Sequence, residues 1–280
     1  MNNEPTVKEH YIPRCYLKQF TINGEQIYQL DLSIGKAIPR PVSIKSICYE
    51  DNLYEFKDES GDFKYRNLIE NILACYESKY SDVVKSISNK TKHKQNFKTL
   101  SFLTVEERNV LIIFMILQVL RDPLLIKMVK NEINSEWKDA ITEASIHNLA
   151  IMSCLPIYKE IKPKDESMIT NLIKKFENMS FIIGYAENDS FLTNDYPVIL
   201  IHDDDIKNLE EVYFPLSSKL ALYMRPRSKT PPGNRNKLKK FTADNIECVN
   251  NKIIKIAKRW IYSKTPFTEK QINRIINERK

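Results

Sequence analysis

Thr104-Val105-Glu106-Glu107, then Arg108-Asn109, then VLIIFMILQVLR over 110–121: this stretch decides how the chain folds. Thr104 is placed to accept from the amide of Glu107, and Glu107 to reach back to the amide of Thr104, a capping box at a helix start. The run that follows is apolar on every side, so the helix must lie inside the protein as its central element. Asp122-Pro123 ends it, because proline lacks an amide hydrogen and pushes its predecessor out of helical backbone. Gln118 and Arg121 are three residues apart and share a face. A guanidinium at the end of a buried helix is costly unless an acid or a bound anion answers it.

An acid is near at hand on the N-terminal side. From about Tyr65 the apolar residues recur with a helical period: Leu68/Ile69, Ile72/Leu73, Tyr76, Tyr80, Val83/Val84 and Ile87. Glu70 and Glu77 fall on this stripe among Leu73, Tyr80 and Val84, so either can pair with Arg121 and tie two helices together. The alternative is a cleft lined by all three. Before residue 60 the period is two, in QIYQLDL (26–32), KAIPRPVSI (36–44) and NLYEF (52–56), with turns at Asn23-Gly24 and Ser33-Ile34-Gly35. Beyond the central helix come helices over about 131–150 and 165–178. Short strands follow in SFIIGYA, SFLTN, YPVILI, EEVYFPL and KLALYM, then a helix over Thr242–Tyr262 and a last one from Thr268. The strands and helices come in blocks and do not alternate, which predicts an α+β fold. The expected arrangement is a mainly helical core with short β elements at the N-terminus and in the C-terminal half. No Gly/Ser-rich linker divides the chain, so residues 1–280 are expected to form a single domain, with the β-rich segment 1–60 packed on it.

Composition removes several function classes. The chain has 280 residues and only 5 glycines, and no GxGxxG or GxxxxGK[ST] motif, which argues against Rossmann and P-loop nucleotide sites. The N-terminus lacks the apolar core of a signal peptide, and the longest apolar run, Val110 to Leu117, is far below a membrane span. The five cysteines, Cys15, Cys48, Cys75, Cys154 and Cys248, are odd in number and none has CxxC spacing. They fit a reducing cytoplasm and small core positions better than a disulfide or zinc framework. No cofactor or metal is expected, and no membrane partner.

The net charge of +7 is localised. Arg225, Arg227, Lys229, Arg235, Lys237, Lys239 and Lys240 lie in one acid-free stretch and equal the whole excess. Lys85, Lys90, Lys92, Lys94 and Lys98 form a second acid-free stretch, read as a linker. Confined positive charge can attract a nucleic-acid backbone or an anionic substrate. It can equally be a solvated loop.

Few side chains are suited to proton transfer. His93 and His147 have no partner pattern, and His202 heads an acidic turn, His202-Asp203-Asp204-Asp205. His10 is different, because Pro13 follows it closely and a rigid segment can fix an imidazole in the orientation that acid–base chemistry needs. A histidine that only bonds within the fold would show the same spacing. Asp195, in Asn194-Asp195-Tyr196-Pro197, is either a turn acid or a positioned carboxylate.

Six segments, taken in order, are similar to a known family: HYIPRCYLKQF (10–20), NLIENILACYE (67–77), LQVLRDP (117–123), FLTNDYPV (191–198), FPLSSKLAL (214–222) and NNKIIKIAKRWIYS (250–263). They resemble the "HYVP" family of bacterial and fungal proteins, a domain of unknown function, DUF4238. The family's pattern falls here on His10, Tyr11 and Pro13, then Glu70, Arg121 and Asp195. Thr-Asn-Asp-Tyr-Pro stands where the family often has Ser-Asp-Asn-Pro. The resemblance implies no reaction, cofactor or catalytic assignment.

Two functions follow. In the first, His10, Glu70, Arg121 and Asp195 converge in one pocket, with Gln118 and Glu77 in support. His10 would be the general acid/base and Arg121 the anion stabiliser of a metal-independent phosphodiesterase acting on RNA or DNA, as a toxin or defence effector. Arg225, Arg227, Arg235 and Lys239 would then bind nucleic acid through the 225–240 loop. In the second, the same residues form a polar network inside a non-catalytic module that binds nucleic acid or protein.

Overall fold

The computed structural model describes residues 6–92 and 102–127, apart from 58, 59, 65 and 125, together with 168–203 and 208–279. The helix expected over 131–150 lies outside these residues, as do His93, His147, Lys94, Lys98, Cys154, Asp204 and Asp205.

The central helix forms as its sequence dictates. It spans Val105–Leu120 (α3), with both arms of the Thr104/Glu107 capping box made and Val110–Gln118 buried throughout. Its neighbour α2, Leu68–Lys92, packs against it through Leu73, Tyr76, Tyr80, Val84 and Ile87. Lys85, Lys90 and Lys92 therefore sit on a helix and not on a linker. Lys90 donates to both carboxylate oxygens of Glu107 at 2.9 Å, which clamps the end of α2 to the cap of α3.

The N-terminal strands are β1 (Lys8–His10), β2 (Gln26–Asp31), β3 (Lys36–Ala37), β4 (Val42–Ser43), β5 (Tyr49–Asp51), β6 (Phe56–Lys57) and β7 (Phe63–Lys64), with a one-turn helix α1 at Arg14–Leu17. Helix α4, Met168–Glu177, leads into the second β region. There β8 (Met179–Tyr185), β10 (Ile199–His202), β11 (Leu209–Ser217), β12 (Leu220–Pro226) and β13 (Lys237–Lys240) form a five-stranded sheet in the order β10-β11-β12-β8-β13. All its pairings are antiparallel except β13 with β8. The sequence pattern misses β13, since KLKK reads as charge and not as strand.

A second correction concerns the helix expected over Thr242–Tyr262. It stops at Ile256 (α5, Ala243–Ile256), and Trp260–Ser263 is a strand, β14. Ala257 leaves helical backbone at ψ 131°, and β-prone Trp-Ile-Tyr then pairs with β2 on one side and β9 (Thr193–Asn194) on the other. A last helix, α6, covers Glu269–Glu278 behind a Thr268/Gln271 capping box.

The fold is α+β, but its core is not mainly helical. The largest buried cluster joins α2 and α3 to β8, β11 and β12. At its centre Tyr80 stacks on Phe114 with centroids 3.8 Å apart, and Tyr16 stacks on Phe214 at 5.2 Å. Each phenol finds a partner, as buried tyrosines must: Tyr16 with Thr193 Oγ1 at 2.7 Å, and Tyr80 donating to the Leu216 carbonyl. Three elements of the N-terminal half are thus fastened to the second β region by aromatic rings.

Gly184 in β8 shows how closely this sheet is covered. A Cβ there would lie 2.3 Å from ring atoms of Phe241, which packs flat over the missing side chain. Gly184→Ala is expected to cost about 1–3 kcal/mol of stability, as overpacked sites do, read as a lower denaturation midpoint with an unchanged slope.

Candidate functional site

The site begins with three residues of β1 and the chain that follows them. Lys8, Glu9 and His10 pair antiparallel with Asp51, Glu50 and Tyr49 of β5. Strand alternation turns Glu9 fully inward and leaves His10 half-buried, its ring 5.6 Å from that of Tyr49. The backbone is then held on both sides. The Tyr54 hydroxyl donates to the His10 carbonyl at 3.0 Å, and Gln118 Nε2 donates to the Tyr11 carbonyl at 2.8 Å. The Tyr11 amide donates to the Cys48 carbonyl. Cys48 sits in left-handed backbone, φ +55°, a strained conformation for a residue with a side chain. It is kept there by these bonds and by its thiol, 3.0 Å from the Tyr262 hydroxyl. Burial pushes that thiol up to about 12, so it is a structural contact and not a nucleophile.

Helices α2 and α3 bring the charged residues to this segment. Arg121 is 4% exposed, and its Nη2 donates to Glu77 Oε1 at 2.7 Å. The interhelical pair read from the sequence is therefore present, with Glu77 as the partner. Its Nε and Nη1 meet no acceptor among the described residues, nor do His10 Nε2 and Gln118 Oε1 find a partner. Beneath them Leu73, Tyr76, Phe114 and Leu117 line a narrow crevice with Glu77, Gln118 and Arg121, too tight for a water-sized sphere.

The electrostatics follow from burial. Burial lowers His10 from its ordinary value, and the charge of Arg14 lowers it further against a backbone bond at Ile44. Burial lifts Glu70 to about 7, with Arg121 opposing and Glu77 reinforcing. The Glu70 carboxyl makes no hydrogen bond to a described residue. Burial lifts Glu9 to about 8 although the Tyr54 amide donates to its Oε2 at 2.6 Å, because the carboxyls of Glu55 and Glu70 stand near. At neutral pH the site thus holds an unprotonated imidazole at His10 and, at Glu70, a carboxylic acid that is about half ionised.

These shifts have a consequence for stability. The folded chain keeps protons on Glu9 up to about pH 8 and on Glu70 up to about pH 7, while the unfolded chain releases them near 4.5. The native state binds more protons across that interval, so stability contributed by these groups is present below about 4.5 and is lost as pH rises to 8. Glu9→Gln, which keeps an oxygen for the Tyr54 amide and cannot ionise, is expected to flatten the fall in Tm between pH 5 and 9.

Not every expected residue joins the site. The carboxylate of Asp195 accepts from the backbone amides of Lys258, Arg259 and Trp260 at 2.8–3.1 Å. It organises the turn into β14, and no hydrogen bond or ion pair joins it to His10, Glu70 or Arg121. The Asx bond belongs to its neighbour, since Asn194 Oδ1 accepts from the Tyr196 amide.

The 225–240 stretch is also largely committed to the fold. Arg235 donates to the carbonyls of Thr230 and Arg227, Lys239 reaches Asn234, and Lys229 and Lys240 pair with Glu210 and Glu187. Arg225 lies 3.9 Å from Glu211. Arg227 makes no side-chain hydrogen bond or ion pair among the described residues. Nor are all cysteines core residues, because Cys75 and Cys248 are exposed.

Sequence reasoning missed Arg14, Tyr54, Glu9 and Glu55. Glu9 had a signal: next to His10 on a strand, it must face the opposite side. Among the described residues no helix is long and apolar enough to cross a membrane, and no three His, Cys, Asp or Glu side chains converge as a metal site.

A family model described as "Protein of unknown function (DUF4238)" matches residues 8–267. No curated protein and no solved structure matches the chain.

Proposed function

The chain belongs to the DUF4238 family, a membership that carries no reaction, so from the site itself we propose that it is a metal-independent phosphodiesterase acting on RNA. The observation that carries this reading is that four of the nine buried side-chain polar atoms without partners among the described residues belong to three residues of this site: His10 Nε2, Gln118 Oε1 and Arg121 Nε and Nη1. A network that existed only to hold the fold together would satisfy its own members. This one leaves a base nitrogen and two cationic donors without partners, and it includes Glu70, a carboxyl poised near neutrality.

RNA is preferred over DNA because it brings its own nucleophile. His10 Nε2 takes the proton of the 2′-hydroxyl, whose oxygen forms a bond to phosphorus. Glu70 gives its proton to the departing 5′-oxygen as the old P–O bond breaks. The free donors of Arg121 hold the phosphoryl oxygens as charge gathers on them. The products are a 2′,3′-cyclic phosphate and a 5′-hydroxyl. DNA has no 2′-hydroxyl and would need a positioned water. Arg227, exposed and without a side-chain partner among the described residues, is the cation of the 225–240 stretch that would touch the RNA backbone. An RNase that needs no metal would suit a toxin or defence effector in the cytoplasm, where reduced thiols such as Cys75 and Cys248 persist.

A second reading has an observation of its own. Arg121 is sealed against Glu77, and the crevice beneath it has no room for water. In that reading the cluster only clamps the N-terminal segment onto α2 and α3. The test is incubation of the purified chain with single-stranded RNA in EDTA across pH 5–9. The phosphodiesterase gives cyclic-phosphate ends, with a rate that rises as His10 deprotonates below pH 6.5 and falls above about 7 as Glu70 ionises. Intact RNA at every pH decides for the clamp.

A further inference from the structure

We propose that the outer face of α5 is a self-association surface, on which a second copy of the chain docks antiparallel through the same face. This surface has no part in the phosphodiesterase reading and stands or falls without it.

Helix α5 has two faces. Val249, Ile253 and Ile254 are buried against the strands, with Ile246 and Ile256 partly covered beside them. The opposite face carries Asp244, Glu247, Cys248, Asn251, Lys252 and Lys255, which line a groove of about 450 Å³. Its two flanks are already answered. Glu247 accepts from Arg274 at 2.6 Å, and the Lys252 ammonium lies 3.8 Å from Glu211 and 4.6 Å from the Tyr213 ring centre. The four residues between, Asp244, Cys248, Asn251 and Lys255, follow the 4-3-4 spacing of a helix-packing seam. The side chains of Asp244, Cys248 and Lys255 are exposed and make no hydrogen bond or ion pair among the described residues. Asn251 accepts from Arg274 at 2.9 Å through Oδ1, which leaves its amide nitrogen as a donor.

An acid in the first turn and a lysine in the last suit the dipole of any helix, so these charges alone would not call for a partner. Their place on the seam does. Asp244 and Lys255 are eleven residues apart, about 17 Å along the helix, too far to meet in one molecule. When a second copy lies antiparallel across a two-fold axis, Asp244 faces Lys255 of the second copy and Cys248 faces its Asn251, each twice. Two ion pairs then bracket two contacts between a thiol and an amide, and no like charges oppose each other along the seam. A face that is acidic at one end and basic at the other is complementary to itself turned end for end, which is what an isologous contact requires. No large apolar side chain lies in the seam, and three helical turns are small beside the roughly 1,000 Å² of a stable interface, so the dimer is weak and sensitive to salt.

Sedimentation equilibrium of the full chain from about 10 μM to about 1 mM, at low and at high salt, reads the association directly. Half-association is expected on the order of 100 μM at low salt and at several-fold higher concentration when salt screens the pairs. Asp244→Lys sets a lysine against Lys255, and Lys255→Asp sets an aspartate against Asp244. Each should weaken self-association by about tenfold. Mixed one to one, the two variants carry opposite charges at both ends of the seam and should associate as tightly as the unaltered chain. Lys255→Gln, neutral and a good helix former, serves where a reversed charge disturbs the helix, and should weaken the dimer and remove much of its salt dependence. A chain that stays monomeric across the whole range overturns the proposal. So does a dimer that both reversals leave intact, or a mixture that fails to recover.

Discussion

His10→Ala should reduce RNA cleavage by about 10²–10⁴-fold, the range that a general base contributes, while the protein stays folded. The effect is large because no second group is placed to replace the ring. Glu70 is needed in its protonated form, Glu77 is engaged by Arg121, and Glu9 faces the Tyr54 amide. The cost to stability is small because the segment is held through backbone carbonyls. Tyr54 still grips residue 10, and Gln118 still grips Tyr11. The lost backbone bond at Ile44 is worth about 1 kcal/mol. The measurement pairs single-turnover cleavage with thermal unfolding. A variant that cleaves at the normal rate removes His10 from the chemistry. One that unfolds assigns it to the architecture.

Asp195→Ala should do the opposite and cost about 3–5 kcal/mol of stability, since each stranded backbone donor costs about 1–3 kcal/mol. Its carboxylate collects three backbone donors, from Lys258, Arg259 and Trp260, and alanine leaves all three amides without an acceptor. Hydrogen bonds to a charged group are each worth about 1.5–3 kcal/mol, and a flexible turn can recover some of them from water. For a chain of this size the loss lowers Tm by roughly 10 °C. Asp195→Asn keeps one acceptor oxygen and should recover about half. Any fall in cleavage should track the unfolded fraction. A folded Asp195→Ala protein with no activity would return this acid to the reaction.

The two aspartate readings show what the sequence could and could not say. The helix at 105–120 was legible because its cap and its apolar run are local, and local patterns need no partner to be recognised. The pairing of Arg121 was legible in kind, since a buried guanidinium must find an acid and Glu70 and Glu77 shared the facing stripe. Which of the two it meets depends on how the helices are rotated against each other, and period alone does not fix that. The fate of Asp195 was illegible. Its partners are amides some sixty residues away on a turn that was read as helix. Charge counting misled in a different way. The stretch at 225–240 carries as many cations as the whole excess, yet the acids and carbonyls that engage them come from β11, from Glu187 and from the loop's own backbone. Arg14 escaped notice because an exposed arginine has no pattern. Only the fold shows that its side chain is exposed and makes no hydrogen bond or ion pair among the described residues.

The pairing of β2 with β14 sets an order on synthesis. Tyr28 meets Ser263 and Asp31 meets Trp260, so β2 is flanked by a strand made more than 200 residues later. While the ribosome is still translating, β2 has only the short β3 and β4 beside it, and one long edge stays open. The nascent polypeptide must carry that edge until β14 has been made. A product released before residues 260–263 are made cannot close this sheet.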